Sequence, residues 1–327
     1  MKLAMLILSG WLALFAFLQP ARAAEAPFPS QPIHMWTGFG AGGAVDLLSR
    51  TISTVAEKSL GQPILVENKP GGGGALCLGL LASEKSNGYT LATVTDGPFD
   101  RGPHMVKVKY DPMKDFTPII RIGVETLGIV VRSDGPFKKF EDLIDYARKN
   151  PKKMTYATPG AAGNVNFLME SIAIREKVQF QNIPFNSDSE ATSALLGGHV
   201  MAEGGAPTGW ISHVETGGLR LLLKSEETEG GVDPWPDVPT SKKLGYTLKW
   251  GPSVIITAPK GLPDPILKKL VAVFSEAMKS PQYQKIAHEH HILNTTTPLT
   301  GSDLNNFLQE QFNTFGALVK QLGLQKK

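Results

Sequence analysis

Short apolar runs alternate with longer stretches of helically spaced apolar residues along most of this chain. Ile33 to Trp36 reads as a strand after Pro32, and Gly38 to Gly43 as a glycine-rich turn. Val45 to Leu60 predicts a helix, because Leu47, Leu48, Ile52, Val55 and Ala56 return to one side at the helical period. Gly61 ends it. Ile64 to Glu67 is a second strand, Asn68 to Gly74 a second turn, and Ala75 to Lys85 a second helix. Asn87-Gly88 turns the chain into a strand from Tyr89 to Thr95. Strand, helix, strand, helix, strand is the pattern of a parallel α/β sheet.

The pattern then repeats. Pro112 to Pro118 is a loop, and Ile119 to Ile122 and Gly128 to Val131 are strands. A helix from Phe140 to Asn150 stops at Pro151, and a strand from Thr155 to Ala157 leads into a second glycine turn, Pro159 to Gly163. Val165 to Lys177 is a helix, Gln179 to Ile183 a strand, Ser189 to Leu196 a helix capped by Ser189, and His199 to Ala202 a strand. Leu219 to Leu223 is one more strand, and the proline-rich stretch Glu226 to Pro239 is irregular. Val254 to Thr257 (strand), Pro265 to Met278 (amphipathic helix) and Ser302 to about Leu322 (helix) complete the chain. These elements predict two α/β lobes, with the last helices returning to the first.

The opening segment stands apart. Lys2 precedes an almost wholly apolar run from Leu3 to Leu18, Pro20 breaks it, and Ala21-Arg22-Ala23 is an A-x-A signal. The run is shorter than the roughly 20 residues a bilayer span needs. Residues 1–23 therefore read as a secretory signal peptide cut between Ala23 and Ala24, and the mature chain is expected to be exported. With 33 Lys+Arg against 30 Asp+Glu and no basic run, nothing points to nucleic acid. One cysteine excludes an intramolecular disulfide and a cysteine-built zinc site. Cys77 lies among leucines and is expected to be a buried, inert thiol.

Two glycine turns carry the candidate chemistry. Gly38-Phe39-Gly40-Ala41-Gly42-Gly43 fits G-x-G-x-x-G between a strand and a helix, with Glu67 at the end of the next strand. That is close to a dinucleotide fingerprint, but an exported chain has little access to soluble nicotinamide cofactors. The physics of the turn serves a second reading equally well. Glycines admit a ligand close to the backbone, and the following helix N-terminus attracts an anion. The turn from Thr158 to Asn166 offers the same device in the other lobe. Two such turns facing each other suit a small carboxylate. His288, Glu289, His290 and His291 lack a well-placed third ligand, so no metal site is expected there. His34 is expected to be structural. No G-x-S-x-G elbow is present, and no catalytic residue is assigned.

Longer motifs resemble those of the extracytoplasmic solute receptors of tripartite tricarboxylate transporters, the Bug proteins. They are Pro29 to Ile33; Phe39 to Gly43 with Asp46 and Arg50; Leu60-Gly61-Gln62-Pro63-Ile64-Leu65-Val66-Glu67-Asn68-Lys69-Pro70 with Gly71 to Gly74; and Asn87-Gly88-Tyr89-Thr90-Leu91. Tyr110-Asp111-Pro112-Met113-Lys114-Asp115-Phe116-Thr117-Pro118-Ile119, Leu195-Leu196-Gly197-Gly198-His199-Val200 and Pro236 to Thr240 continue them along the mature chain. The resemblance implies a two-lobed periplasmic binding protein of type II, a Venus flytrap, that captures a carboxylate for a membrane transporter. It implies no enzyme activity and no cofactor, and carboxylates held mostly by main-chain N–H groups and waters rather than by arginine. A sensory receptor without a transporter would share the fold.

Carried over position by position, first-lobe ligand contacts fall on Phe39, Gly40, Ala41, Gly42, Gly43, Asp46, Thr95 and Asp96. Second-lobe contacts fall on Thr158, Gly160, Ala161, Ala162, Gly163, Asn164, Asn166, Phe185, Asn186 and Ser187. Residues 24–124 with 228–327 are expected to form the first lobe and 125–227 the second, with hinges near 122–128 and 222–230. The chain is expected to act as a monomer. It departs from the family pattern at Asp96, where a Ser/Thr-rich turn is usual; at Asn186, where a basic residue is often found, followed by Asp188 and Glu190; at Met201 and Gly205, where two acids are usual, with Glu203 between; and at Val165-Asn166, in place of a Ser-His pair. These departures make the cleft less welcoming to a polyanion and favour a monocarboxylate, an aromatic acid or an amino-acid-like ligand, with Asp96 facing an ammonium group.

Overall fold

The computed structural model describes residues 27–161, 163–225, 235–246, 251–293 and 298–325. The expected signal peptide lies outside them, as do Ala162 and the stretch from Glu226 to Pro234. Among the described residues no helix is long and apolar enough to cross a membrane.

The first sheet begins as the pattern predicts. Strand β1 (Ile33–Thr37) runs into helix α1 (Ala44–Leu60), followed by β2 (Ile64–Asn68), a 3-10 turn (Gly72–Gly74), α2 (Ala75–Leu81) and β3 (Thr90–Thr95). β1 pairs in parallel with both β2 and β3. Helix α1 forms where it does because Val45, Leu48, Ile52, Ala56 and Leu60 bury one stripe against this sheet. Gly61 stops it in the left-handed conformation at φ 71°, its N–H returning to the Glu57 carbonyl. Two short helices, α3 (Gly97–Asp100) and α4 (Gly102–Met105), precede the long strand β4 (Phe116–Glu125).

The chain then crosses through Thr126-Leu127 to a second sheet. It contains β5 (Gly128–Arg132), then α5 (Phe140–Lys149), β6 (Met154–Pro159), α6 (Asn164–Glu176), β7 (Phe180–Phe185), α7 (Asp188–Leu196), β8 (Ala202–Gly205), α8 (Pro207–Glu215) and β9 (Leu219–Lys224). Its order is β7-β6-β8-β5-β9, with β5 antiparallel to both neighbours. The chain returns to the first sheet as β10 (Ser253–Pro259), which lies antiparallel between β3 and β4. Helices α9 (Asp264–Met278) and α10 (Pro281–Glu289), short strands β11 (Ile292–Leu293) and β12 (Leu299–Thr300), and α11 (Gly301–Gln321) follow. Both sheets are thus mixed rather than purely parallel, because each receives one strand from a crossover between the lobes.

Three local expectations are corrected. The strand expected at His199–Ala202 lies three residues later, and the helix Pro207–Glu215 was not expected. The helix expected to be capped by Ser189 is capped by Ser187, whose Oγ accepts the Glu190 N–H at 3.2 Å. After residue 227 the chain was expected to rejoin the first lobe. Trp235 and Val238 instead pack on the second-lobe core, Leu244 and Tyr246 on its other face, and Lys224 bridges Thr240 in parallel.

The expected buried thiol is confirmed: Cys77 is inaccessible, and burial pushes it up to about 12. Helix α11 does more than return to the first lobe. Leu304 and Leu308 pack there, whereas Phe315 meets Phe167 of α6 edge to face at 5.3 Å.

Asp46 stitches the first glycine turn to its neighbours. Its carboxylate accepts the Gly42 N–H, Arg50 Nε at 3.0 Å and Asn68 Nδ2 at 2.8 Å. Burial would raise its pKa, but bonds from Arg50, Asn68 and Gly42 outweigh burial and hold it below the ordinary value. A lowered folded-state pKa stabilises above the unfolded value of about 3.9, and that contribution is lost as the pH falls through the folded value. Asp46→Asn is expected to cost about 2 kcal/mol at neutral pH. The deficit should shrink as urea melts are repeated from about pH 6 towards about pH 3; a deficit independent of pH would refute the assignment.

Candidate functional site

Four loops, two from each sheet, converge between the lobes. From the first come Gly38–Gly43 and Gly71–Gly74; from the second come Pro159–Gly163 and Phe185–Ser187. All four glycines from Gly71 to Gly74 hold positive φ, between 58° and 148°. Side chains there would be strained. A Cβ on Gly160, itself at φ 104°, would stand 2.7 Å from the Gly73 Cα. The lobes therefore meet backbone to backbone.

A cavity of about 200 Å³ lies at this meeting, lined by Gly38, Phe39, Gly71, Gly72, Gly73, Pro159, Gly160, Ala161, Pro184, Phe185 and Asn186. Phe39, Gly160, Ala161, Phe185 and Asn186 were expected contacts. Gly71–Gly73, Pro159 and Pro184 were not, although the run of glycines after Pro70 was a visible signal. Among the described residues no ionisable side chain belongs to this lining.

The other expected residues have different partners. Lobe two lies directly on Gly40–Gly43. The Gly40 N–H donates to the Asn186 carbonyl at 2.7 Å, and Ser189 Oγ donates to the Gly42 carbonyl at 2.9 Å. Ala41 is exposed. Asp46 serves the turn, as described. Thr158 Oγ1 bonds Gly160 O and Asn182 Oδ1, while Asn166 Nδ2 donates to Ala161 O and its Oδ1 accepts the Tyr156 hydroxyl. Gly163 and Ser187 are the N-caps of α6 and α7. Ala162 lies outside the described residues.

Asp96 does not offer its charge to a ligand. It is buried beside Thr95 and bonded to Arg101 Nη2 at 2.7 Å, and its second oxygen accepts the Ser253 N–H. The same Nη2 reaches Asn164 Oδ1 of the other lobe at 2.7 Å, and the guanidinium stacks 4.5 Å from the Phe315 ring. Burial raises the pKa of Asp96 and takes neighbouring Asp100 up to about 8, with the Arg101 charge opposing both. Arg101 was not foreseen; its partner Asn164 is 63 residues away in sequence.

A second acidic group sits in lobe two. Asp188 accepts the Ala206 N–H at 2.8 Å and, across the cleft, its carboxylate stands against Gly43 at the start of α1; burial raises its pKa, with the Ala206 and Ala44 N–H groups opposing. Glu203 accepts Thr192 Oγ1 at 2.9 Å on one oxygen, and its other oxygen is buried without a hydrogen-bond partner. Burial and then the Asp188 charge raise Glu203 well above the ordinary carboxylate range. Glu125, where the chain leaves the first sheet, is raised well above it by burial, then by Asp188 and Asp96.

Glu67, the acid of the dinucleotide fingerprint, is engaged by His34 Nδ1 at 2.8 Å and Lys69 Nζ at 3.0 Å. His34 thus has the structural role expected of it. Among the described residues no cluster of three or more His, Cys, Asp or Glu side chains is arranged to hold a metal.

Removing Arg101 leaves two buried acids without their cation. Arg101→Met is expected to cost about 3–5 kcal/mol in chemical denaturation, with part of the loss restored by adding Asp96→Asn; an unaffected single variant would contradict this charge assignment. For Glu203 the sign is opposite to that for Asp46. A raised folded pKa stabilises below the unfolded value, and the contribution is lost as pH rises through the folded value. Glu203→Gln is therefore expected to flatten the decline in melting temperature from about pH 5 to about pH 8. A slope equal to wild type would refute it.

Comparison with known proteins agrees with this architecture. The profile of the tripartite tricarboxylate transporter family receptor matches residues 48–324. A UPF0065 protein from the gbd 5′ region of Cupriavidus necator is 38% identical over 311 residues, covering 94% of this chain and 92% of that one. Protein BugT of Bordetella pertussis is 26% identical and covers 92% of each chain. The solved periplasmic binding protein BugD superposes with a TM-score of 0.85 at 25% identity, covering 92% of this chain and all (100%) of that one. MatC of Rhodopseudomonas palustris, solved with malate bound, gives a TM-score of 0.81 at 25% identity, covering 89% and 100%. The matched family is one of receptors rather than enzymes, and by its profile match and its 38% identical relative this chain belongs to the tripartite tricarboxylate transporter receptor family.

Proposed function

We propose that this receptor captures a small carboxylate between its lobes in the periplasm and delivers it to a tripartite tricarboxylate-type transporter. The observation that carries this reading is the cavity of about 200 Å³ enclosed by glycine loops of both lobes. Backbone N–H groups are natural carboxylate donors, and glycines bring them close to the ligand. A volume below the roughly 300–1,000 Å³ of drug-sized pockets suits a small solute.

Mechanistically, the crossing at Thr126-Leu127 and the return of the chain to the first sheet after Tyr246 act as hinges. The open lobes sample closure, and a ligand touching both sides shifts that population. The receptor works as a monomer and without a cofactor. Its transporter reads the closed form.

Thermal denaturation of protein stripped of carried-over ligand by unfolding and refolding tests the reading. A carboxylate at 100 times its dissociation constant adds roughly 2.7 kcal/mol to stability. Recovery of the ligand chemically unchanged is expected; a shift with dinucleotides alone would sink the proposal. Gly160→Ala tests the role of closure, because its Cβ would stand 2.7 Å from the Gly73 Cα and 2.9 Å from its nitrogen. The variant is expected to fold yet lose at least about tenfold in affinity, roughly 1.4 kcal/mol. Its ligand-induced contraction in small-angle scattering should vanish. Wild-type affinity and contraction would show that closure does not depend on this contact.

A further inference from the structure

The N-terminus of α1 was expected to receive a carboxylate from the ligand, but a carboxylate from the chain itself stands there. Segment Asn186–Ser189 of lobe two lies along Gly40–Gly43 of lobe one, and the Asp188 carboxylate stands beside the first N–H groups of α1. A Cβ placed on Gly43 would be 3.1 Å from Asp188 Oδ2, so the acid sits against the helix start itself. Its other oxygen is fixed by the Ala206 N–H at 2.8 Å. Asp188 is therefore a rigid group delivered by one lobe to the anion-attracting end of a helix in the other.

We infer that Asp188 occupies the seat of a second ligand carboxylate, and so restricts this receptor to monocarboxylates whose remaining body is uncharged. The inference rests on the receptor reading above and narrows its ligand class. Three observations support it. First, the cavity left beside Asn186 presents Phe39, Phe185, Pro159 and Pro184, with no ionisable side chain among the described residues of its lining. Glycine N–H groups there can hold one carboxylate, while the aromatic and proline faces suit an apolar body.

Second, the surroundings of Asp188 are acidic. A point where Gly205 would carry a Cβ is 2.5 Å from Asp188 Oδ1 and 3.1 Å from Glu203 Oε1, and that oxygen of Glu203 is buried without a hydrogen-bond partner. Glu125 lies close enough to feel the charge of Asp188. A second ligand carboxylate reaching this end of the cleft would meet the Asp188 carboxylate already seated there, with no cation beside it among the described residues. Third, the guanidinium that could have compensated it, Arg101, is already bonded to Asp96 and Asn164.

The test is isothermal titration of ligand-stripped protein with acids matched in carbon skeleton: butyrate against succinate, hexanoate against adipate, benzoate against phthalate. The same titrations are run on Asp188→Ser and Asp188→Asn. Asparagine retains an acceptor for the Ala206 N–H and guards against a serine variant that fails to fold. In wild type, at least one monocarboxylate is expected to bind at least about tenfold more tightly than its diacid. In either folded variant that ratio is expected to shrink at least about tenfold. A wild-type protein that prefers diacids overturns the inference and leaves the receptor reading standing. So does a ratio unchanged in a folded variant. Failure of every acid to bind wild type, in titration and in thermal shift, overturns both.

Discussion

The structure depends on two lobes meeting through main chain. Where Gly160 faces Gly73 there is room for no side-chain atom, and where Gly40 N–H meets the Asn186 carbonyl at 2.7 Å the lobes share a backbone hydrogen bond. Contact this close needs glycine for space at Gly160 and for left-handed backbone through Gly71–Gly74. It also explains the size of the cavity. Loops with few side chains leave a narrow gap lined by polar backbone, to which Phe39, Phe185, Pro159, Pro184 and Ala161 add apolar walls.

Burying the charged groups around that contact raises a second demand. Asp96 and Arg101 lie on one side of the cleft and Asp188 and Glu203 on the other, all shielded from water. An isolated buried charge is costly, so each ionised group here has fixed donors or a counter-charge. Asp96 has Arg101 and the Ser253 N–H; Asp188 has the Ala206 and Ala44 N–H groups. Glu203 and Glu125 have no such cation, and their raised pKa values place them towards the neutral form. Arg101 also ties the lobes together, since one guanidinium nitrogen bonds Asp96 and Asn164.

Much of this was legible in the sequence because it is local. The stripe on α1, the glycine stop at Gly61, the turn at Gly38–Gly43 and the buried Cys77 follow from residues within a turn or two of one another. The strand at Ala202–Gly205 was misplaced because Ala-Glu-Gly-Gly has little intrinsic strand preference. Its pairing with β5 and β6 decides its conformation. The helix after it carried a usable signal in Pro207 at its first position. Asp96 was read from its position as a group facing a ligand, whereas its partner Arg101 sits in a Gly-Pro-Phe-Asp-Arg stretch that reads as loop. Their union with Asn164, and that of Asp188 with Ala44, are long-range facts that no local pattern encodes.

In a receptor working as proposed, these long-range contacts bear on how little a ligand must contribute. The closed arrangement is already held by Gly40 to Asn186, Ser189 to Gly42, Arg101 to Asn164 and Phe167 to Phe315. Each neutral hydrogen bond among them is worth only about 0.5–1.5 kcal/mol net, since water satisfies the same groups when the lobes part. Such a balance places the open and closed forms within a few kcal/mol of each other. The ligand then need only add contacts that the closed form alone provides, because binding equally to both forms would shift nothing. The cavity is placed for that role: Phe39 and Gly71–Gly73 come from one lobe, Gly160 and Phe185 from the other, so both walls exist together only when the lobes are closed.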